Sequence, residues 1–468
     1  MSHTSDARVE RAPGRRARSL WPASALLVLC LCPPVDAQTR ESRLDRVFTG
    51  LAYRPMGAEE TVAGGAREAA AREMLADPVS AASPHDDQVR YRVDDRVHRS
   101  EDLGASWSTL SPDLVAWPVS GGEDSEAVAA GTRASPGSSS GPGLTAVAES
   151  PLEPGLIWVG ASDGRVHLTR DGGASWIALD GPVAGRAGVR AVEPSAHRGG
   201  RAYLVAEAEH AGPDGAAGRG GGAAAEPGPL VYRTDDYGSE WTLLSGDFSG
   251  LPQDQAVAVV REDPVREGLL FAATPVGVFV TFDDGGSWDL FQFGLPETPV
   301  TGLTVLGRDL VVSLAGGALW VMDEIGPLRQ VMDGLTTGEP YLFEPSPVYL
   351  DRLPADEGVA DGRGAIFDYL LPSIVRTVRL EVLDAEGRLL TTFSGERRSG
   401  PGAGAPAETE FRRVPGTRSG VHRIVWDLVP SGDGGRGVRR VPPGSYLLRM
   451  TVDGLVRERD FEVVPEGG

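Results

Sequence analysis

The chain of 468 residues contains no lysine and no asparagine, so all 45 of its basic residues are arginines. The absence of lysine excludes Schiff-base catalysis and a P-loop, because both need its amine. The absence of asparagine excludes N-glycosylation sequons. No segment approaches the roughly 20 consecutive apolar residues that a membrane-spanning helix requires. We therefore expect a protein that makes no stable insertion into a membrane.

The two cysteines, Cys30 and Cys32, both lie in a predicted signal peptide. Residues 1–37 combine an arginine-rich start, a short apolar run and a small-residue cleavage site that ends at Ala37. Cleavage there leaves a mature chain without disulfide or thiol chemistry. We therefore expect a secreted or periplasmic bacterial protein.

The net charge of the chain is −21. A strongly acidic surface repels nucleic acid and anionic membranes, so neither is an expected partner. The same surface charge favours solubility outside the cell.

One turn motif, S/T-x-D-x-G-x-S/E-W, occurs four times. The copies are Ser100, Asp102, Gly104, Ser106 and Trp107; Thr169, Asp171, Gly173, Ser175 and Trp176; Thr234, Asp236, Gly238, Glu240 and Trp241; and Thr281, Asp283, Gly285, Ser287 and Trp288. Each copy follows a valine and a histidine or aromatic residue, and an apolar residue stands three positions after each tryptophan: Val97, His98 and Leu110; Val166, His167 and Leu179; Val231, Tyr232 and Leu244; Val278, Phe279 and Phe291. The underlying period of about 45 residues is that of a four-stranded propeller blade.

The motif has the chemistry of a β-hairpin closure. Its aspartate can accept hydrogen bonds from the backbone N–H groups of the turn that follows. The glycine supplies a positive φ, and the tryptophan begins the next strand and fills the space under the turn. A last set of strands, ending at 319–322, lacks the motif. The pattern predicts about five blades in residues 85–338.

The motif is similar to the Asp box, or BNR repeat, of sialidases, other glycosidases and sortilin-type propellers. The runs at 107–114, 157–164, 279–288 and 319–324 resemble large secreted bacterial proteins related to the sortilin propeller. Those proteins are often called glycosyl hydrolases because of these boxes. The resemblance implies a ten-bladed ring, so this chain looks internally shortened. Five blades would then form half of such a ring, and two copies could complete it as a homodimer.

The strand pattern changes near residue 339. Alternating segments, with a hairpin signal at Asp453-Gly454, predict a β-sandwich over residues 339–468. The run from Val441 to Tyr446 resembles the FlgD-like, immunoglobulin-like domains of secreted bacterial proteins. Residues 38–84 are predicted to be an N-terminal segment and linker.

One hypothesis is that the four box aspartates are the catalytic acids of a glycosidase. Glycoside hydrolysis, however, needs two carboxylates about 5–10 Å apart across one bond. Equivalent turns on different blades do not converge, so Asp102, Asp171, Asp236 and Asp283 are predicted to be structural. The run Tyr53-Arg54-Pro55 is only weakly similar to the arginine motif that opens sialidase domains.

Other candidate sites have weaker signals. His98 and His167 share a strand position with Tyr232 and Phe279, which predicts packing rather than metal binding. Adjacent acids could hold Ca²⁺, but without alternating oxygen ligands they predict no site; these pairs are Asp94-Asp95, Asp235-Asp236 and Asp283-Asp284.

These observations predict an all-β, secreted, non-catalytic propeller with a C-terminal immunoglobulin-like sandwich, and no catalytic, cofactor or metal residue is assigned. The expected ligand is a peptide, protein or glycan, bound at the central opening or in the top loops. The alternative is an exported, sialidase-like or other BNR-repeat glycoside hydrolase, which would need convergent carboxylates in a central pocket.

Overall fold

The computed structural model describes residues 44, 47–48, 51–56, 68–72, 74–75, 79–116, 143–179, 181–208, 229–350, 364–397, 414–431 and 440–465. The predicted signal peptide lies outside these residues. Five four-stranded antiparallel sheets, here called blades 1 to 5, are followed by a two-sheet sandwich. The predicted all-β fold is confirmed.

Blades 1 to 4 are meanders in which consecutive strands pair. Blade 1 contains β2 (Ser80–Ala82), β3 (Arg90–Val93), β4 (Val97–Ser100) and β5 (Ser108–Thr109). Blade 2 contains β6 (Leu144–Glu149), β7 (Ile157–Ala161), β8 (Val166–Thr169) and β9 (Ile177–Leu179). Blade 3 contains β10 (Ala187–Pro194), β11 (Ala202–Ala208), β12 (Leu230–Thr234) and β13 (Thr242–Leu243). Blade 4 contains β14 (Val259–Glu262), β15 (Leu270–Thr274), β16 (Gly277–Thr281) and β17 (Asp289–Leu290).

The fourth strand of blade 5 comes from the N-terminal segment of the chain. It contains β18 (Val300–Leu306), β19 (Asp309–Leu314) and β20 (Leu319–Met322), and β1 (Arg54–Pro55) pairs with β20. The Arg54 guanidinium donates to both carboxylate oxygens of Asp323, at 2.5 and 2.9 Å. The propeller thus begins with β1 and β2, ahead of the predicted boundary at residue 85.

Neighbouring blades pack through their faces, and the first strand of each later blade lies against the first and second strands of the preceding blade. Middle strands such as β7 and β16 are buried throughout, because each is covered on both faces. One hydrophobic cluster joins blades 1 and 2, a second joins blades 2 and 3, and a third joins blades 3, 4 and 5. No hydrophobic cluster among the described residues joins blade 1 to blade 5.

The far face of blade 5 is covered by the segment 68–75. Ala71 is fully buried in a cluster with Val311, Leu319 and Val321, and Leu75 packs against it. The face that would meet a further blade is therefore occupied by the chain's own N-terminal region.

The C-terminal sandwich follows α1 (Gly326–Thr337). One sheet has the order β21 (Tyr341–Leu342), β23 (Ala365–Leu371), β26 (Gly420–Trp426). The other has the order β22 (Val348–Tyr349), β28 (Leu455–Val464), β27 (Gly444–Val452), β24 (Thr377–Leu383), β25 (Leu389–Glu396). The Tyr446 hydroxyl donates to the carbonyl of Pro442 at 2.6 Å, as in the tyrosine corner of immunoglobulin-like domains.

The sandwich is fixed to blade 5 by an arginine whose side chain is 11% exposed. Arg423 donates to the carbonyls of Asp323 (2.7 Å) and Glu324 (2.6 Å) and pairs with both carboxylate oxygens of Asp368. Phe48, from the N-terminal segment, is buried in the cluster that holds blades 3 to 5 and the sandwich residue Val421. Within the described part of the chain, no helix has both the length and the hydrophobicity to cross a membrane.

Candidate functional site

Each box aspartate is held by its own turn. In blade 2, Asp171 accepts at Oδ1 from the Ser175 backbone N–H (2.8 Å) and the Thr169 hydroxyl (2.8 Å), and at Oδ2 from the Ser175 hydroxyl (2.5 Å). Thr169 also accepts from the backbone N–H of Gly173 at 2.9 Å. Three of the carboxylate's hydrogen-bonding positions are therefore taken within the turn.

The other boxes repeat this arrangement. Asp102 and Asp283 have the same three donors, whereas Asp236 lacks the donor at Oδ2 because Glu240 replaces the serine. Hydrogen bonds, first of all from the serine hydroxyl, lower the pKa of Asp102 and of Asp171 to about 2. A carboxyl group that stays ionised at neutral pH cannot serve as a general acid. These contacts fit the predicted structural role, which remains a prediction.

The boxes also form joints between blades. A Cβ built on Gly173 of blade 2 would lie 2.6 Å from Cγ of Leu110 in blade 1. The same contact recurs along the propeller, with Gly238 against Leu179 (2.5 Å to Cδ1) and Gly285 against Leu244 (2.8 Å to Cδ1). The box glycine is thus needed for its positive φ and for the leucine of the preceding blade.

The residue between the box aspartate and the box glycine also contacts the preceding blade. The Tyr237 hydroxyl of blade 3 donates to Glu153 of blade 2 at 3.0 Å, and the Arg170 guanidinium lies 3.8 Å from the centroid of its ring. In blade 4, Asp284 accepts from Arg201 (2.8 Å) of blade 3. Tyr237 and Asp284 therefore each connect their box turn to the preceding blade.

Asp284 belongs to a charged cluster between blades 3 and 4. Arg201 is only 4% exposed and also pairs with Asp235 at 2.5 Å. The Tyr203 hydroxyl lies 2.7 Å from Asp284 and 3.1 Å from Glu262. The acids Asp235 and Asp284, considered as Ca²⁺ ligands in the sequence, thus contact arginine instead.

This cluster has residue types that a sialidase uses, but its tyrosine is not a nucleophile. Tyr203 is fully buried, and burial raises its pKa well above the usual value. Glu262, 5% exposed, also accepts from the Ser195 hydroxyl (2.6 Å) and the Ala196 N–H (2.9 Å). The cluster is a hydrogen-bonded network that joins two blades.

Among the described carboxyl groups, the pKa is raised for Asp368, which pairs with Arg423 as described above, and for Glu193. Glu193 lies on β10 and accepts from Arg261 on β14 at 2.8 Å. Burial raises its pKa, the neighbouring Glu262 adds to the increase, and Arg261 opposes it. A raised carboxyl pKa beside a second carboxylate is one mark of a catalytic pair.

A different surface lies at the opposite ends of the first strands, away from the boxes. The first strands of blades 2, 3 and 5 have bulges at Thr145, Arg190 and Thr301. Thr145 donates to the carbonyl of Val189 in the next blade at 2.6 Å. Arg190 pairs with Glu207 at 2.7 Å, and both side chains are about two-fifths exposed.

A cavity of about 330 Å³ opens beside Thr301. Leu75, Leu314 and Leu319 supply an apolar lining. The Thr301 hydroxyl beside it donates to the Ser313 carbonyl at 3.2 Å, and the half-exposed Arg72 guanidinium donates to Glu68 at 2.7 Å. Small-ligand sites combine an apolar wall with a few polar groups in this way. We call the region formed by this cavity and by Thr145, Arg190 and Glu207 the inner rim. Sequence reasoning missed it, because no motif marks a bulge.

The two strand histidines differ. His167 is 1% exposed, neither ring nitrogen has a partner, and burial lowers its pKa to about 4. The His98 side chain is 15% exposed, and its Nε2 lies 3.0 Å from Asp94. The described residues contain no group of three histidine, cysteine or acidic side chains placed to hold a metal.

No protein-family model and no curated protein matches the chain. Among solved structures it is similar to an ancestral GH74 enzyme, with 16% identity, a TM-score of 0.37 and coverage of 69% of this chain and 39% of that one. The Niastella koreensis GH74 enzyme is 14% identical, with a TM-score of 0.34 and coverage of 62% and 41%. PorZ, a bacterial surface component of the type-IX secretion system of Porphyromonas gingivalis, is 14% identical, with a TM-score of 0.33 and coverage of 84% and 53%.

The three TM-scores all lie below 0.5, so the blades described above rest on the strand pairing of this chain alone. The chain spans less than two thirds of the length of each of the three.

Proposed function

We propose that the mature chain is a secreted, non-catalytic propeller protein that binds a peptide, protein or glycan at the inner rim. One observation carries the proposal. The carboxylates that lie close to another carboxylate, such as Glu262 and Asp284, are engaged by arginine, hydroxyl or backbone donors. The charges of Arg190 and Glu207, by contrast, are accessible to a ligand.

The inner rim also has the chemistry to bind such ligands. Its cavity places the half-exposed Arg72 guanidinium beside leucine side chains, which suits the mixed surface of a sugar ring or a peptide. The exposed Arg190–Glu207 pair is held weakly in water, so a ligand with an acidic or polar group can replace it at little cost.

The proposal is tested by a glycan and peptide array, followed by titration of the tightest array ligand. Filling the cavity with Thr301→Trp and removing the guanidinium with Arg190→Ala should each weaken binding about tenfold, equivalent to about 1.4 kcal/mol. Arg379→Ala is the matched control, because Arg379 is an exposed arginine on the sandwich, 57% accessible. Unchanged affinity in both rim variants would contradict binding at the inner rim.

An exported glycoside hydrolase is the second candidate, and Glu193 is the observation in its favour. Its raised pKa and its neighbour Glu262 would suit a general acid beside a second carboxylate. Release of chromogenic leaving groups from a panel of glycosides, with loss of release in Glu193→Gln, would support this candidate over the binding protein.

A further inference from the structure

The joint between blades 1 and 2 has the same construction as the joint between blades 3 and 4. In each, a serine hydroxyl just after one first strand donates to a glutamate of the next blade, and a histidine ring nitrogen lies close to a backbone carbonyl. The contacts are Ser83–Glu149 (2.5 Å) and His85–Ser150 (2.8 Å) in one joint, and Ser195–Glu262 (2.6 Å) and His197–Asp263 (2.8 Å) in the other. The two joints can therefore be compared position by position.

One position of the two joints differs in its side chain. Gly172 of blade 2 donates its backbone N–H to the Gly155 carbonyl at 3.0 Å. Asp284 of blade 4 donates its backbone N–H to the Gly268 carbonyl at the same distance, 3.0 Å. The φ angles of Gly172 and Asp284 are also close, at 68° and 59°. These two residues are therefore equivalent, and only the second joint receives a carboxylate from this position.

The Asp284 carboxylate makes three contacts with blade 3. It accepts from the Tyr203 hydroxyl at 2.7 Å, from Arg201 at 2.8 Å and from Arg233 at 2.8 Å. Hydrogen bonds between a guanidinium and a carboxylate are roughly twice as strong as those between neutral groups. The second joint thus shows which groups hold a carboxylate at this position.

The first joint keeps two of these three donors. Tyr91 lies opposite Arg99 on neighbouring strands of blade 1, just as Tyr203 lies opposite Arg233 in blade 3. Burial raises the pKa of Tyr91 to about 12, the Glu149 carboxylate adds to the increase, and the Arg99 guanidinium opposes it. Both charged groups therefore lie close to the Tyr91 hydroxyl.

The space beside these donors is open to a ligand. No described residue lies within 4 Å of a Cβ built on Gly172, and Gly172 is itself exposed. The Arg99 side chain is 37% exposed, and its Nη1 donates to Glu101 at 2.6 Å. Because a guanidinium has several N–H donors, Arg99 can bind a carboxylate beside Gly172 while it keeps Glu101.

We propose that Tyr91, Arg99 and Gly172 form a binding site for the aspartate side chain of an acidic peptide. We call these three residues the Gly172 site. The ligand carboxylate would take the position that Asp284 has in the other joint, and would accept from the Tyr91 hydroxyl and the Arg99 guanidinium. The site lies among the box turns, away from the inner rim, so this inference does not depend on the ligand binding proposed there.

The Gly172 site should bind a carboxylate weakly. Two residues before its tyrosine, the first joint has Val89 and the second has Arg201. One guanidinium therefore attracts the ligand instead of two, and Glu101 competes for it. We expect a dissociation constant on the order of 1 mM.

A ligand-observed NMR titration of the secreted chain with the peptide acetyl-Gly-Asp-Gly-amide tests the proposal. We expect this peptide to bind, and its asparagine counterpart to bind about tenfold more weakly, because a neutral amide gains less from the Arg99 guanidinium. Arg99→Gln and Tyr91→Phe should each weaken binding of the aspartate peptide by about threefold or more, because each removes one donor.

Gly172→Asp is the decisive variant. Aspartate tolerates a positive φ, and its carboxylate should occupy the Gly172 site from within the chain. Peptide binding should therefore be lost, and the melting temperature should rise. Gly185→Asp is the matched control, because Gly185 has a φ of 70° and no described residue within 4 Å of a built Cβ. It should bind the peptide as wild type does.

Equal binding of the aspartate and asparagine peptides would overturn the proposal, and so would binding that is retained in Gly172→Asp. Loss of binding in Gly185→Asp as well as in Gly172→Asp would show that added negative charge alone repels the peptide, which would also overturn it. Tighter binding of glucuronate than of the aspartate peptide would contradict the choice of a peptide ligand and assign the site to acidic sugars.

Discussion

Replacement of Gly173 by alanine separates the two reasons for a glycine in the Asp box. Gly173 has a φ of 95°, and the added methyl would lie 2.6 Å from Cγ of Leu110. The backbone cost is about 1–2 kcal/mol, and overpacking adds about 1–3 kcal/mol. We therefore expect Gly173→Ala to lower the free energy of unfolding by about 2–5 kcal/mol.

Gly104→Ala is the matched control. Its φ of 92° is nearly the same, but no leucine of a preceding blade lies against it among the described residues. Only the backbone cost of about 1–2 kcal/mol should remain. Urea denaturation, followed by tryptophan fluorescence and circular dichroism, measures both values. Because the two probes must give the same transition before a free energy is extracted, their agreement is checked first.

A double-mutant cycle identifies the contact itself. Leu110→Ala removes the side chain that the new methyl would strike, so its combination with Gly173→Ala should be less destabilising than the sum of the single variants by about 1–2 kcal/mol. Equal costs for Gly173→Ala and Gly104→Ala, together with additivity in the cycle, would refute the view of the box as a joint between blades.

Three further predictions concern the box, a buried histidine and the sandwich. Thr169→Val should cost about 1–3 kcal/mol in denaturant unfolding, because the Gly173 N–H loses its acceptor inside the turn, while ligand affinity at the inner rim stays unchanged. His167 has a folded pKa of about 4, below the ordinary 6.5, so the native state binds fewer protons than the unfolded state between these values. Stability should therefore fall by about 3 kcal/mol as pH drops from 6.5 to 4, and His167→Phe should remove this part of the pH dependence of chemical denaturation. A fragment of residues 339–468 should unfold cooperatively, because its two sheets share their own core, although release from blade 5 exposes Val421; a random-coil circular dichroism spectrum would contradict this.

The sequence predicts the blades well because their signals are local. A box places an aspartate, a glycine and a tryptophan within one turn. The alternating residues of the strands on either side can be recognised without information from distant parts of the chain. The apolar residue three positions after each tryptophan is visible as a pattern, but the contact of Leu110, Leu179 and Leu244 with the next box glycine is tertiary. Such a contact is recognised only when the blades are stacked, as with Leu110 and Gly173.

Features that join distant parts of the chain have no such local signal. The two-residue strand β1 is too short for any periodicity, yet it completes blade 5. Asp235 and Asp284 carry an acidic signature in the sequence, but Arg201 supplies the counter-charge from another strand. These adjacent acids could be considered as Ca²⁺ ligands, although without alternating oxygen ligands they predicted no site, and the fold provides an arginine as their counter-charge.

The most direct test of the central claim is mass spectrometry of an array-positive glycan after long incubation with the secreted chain. The account predicts that the glycan is bound and recovered intact at both acidic and neutral pH. Shortened glycan that appears with wild type and with Arg379→Ala, but not with Glu193→Gln, would contradict it and identify the chain as a hydrolase.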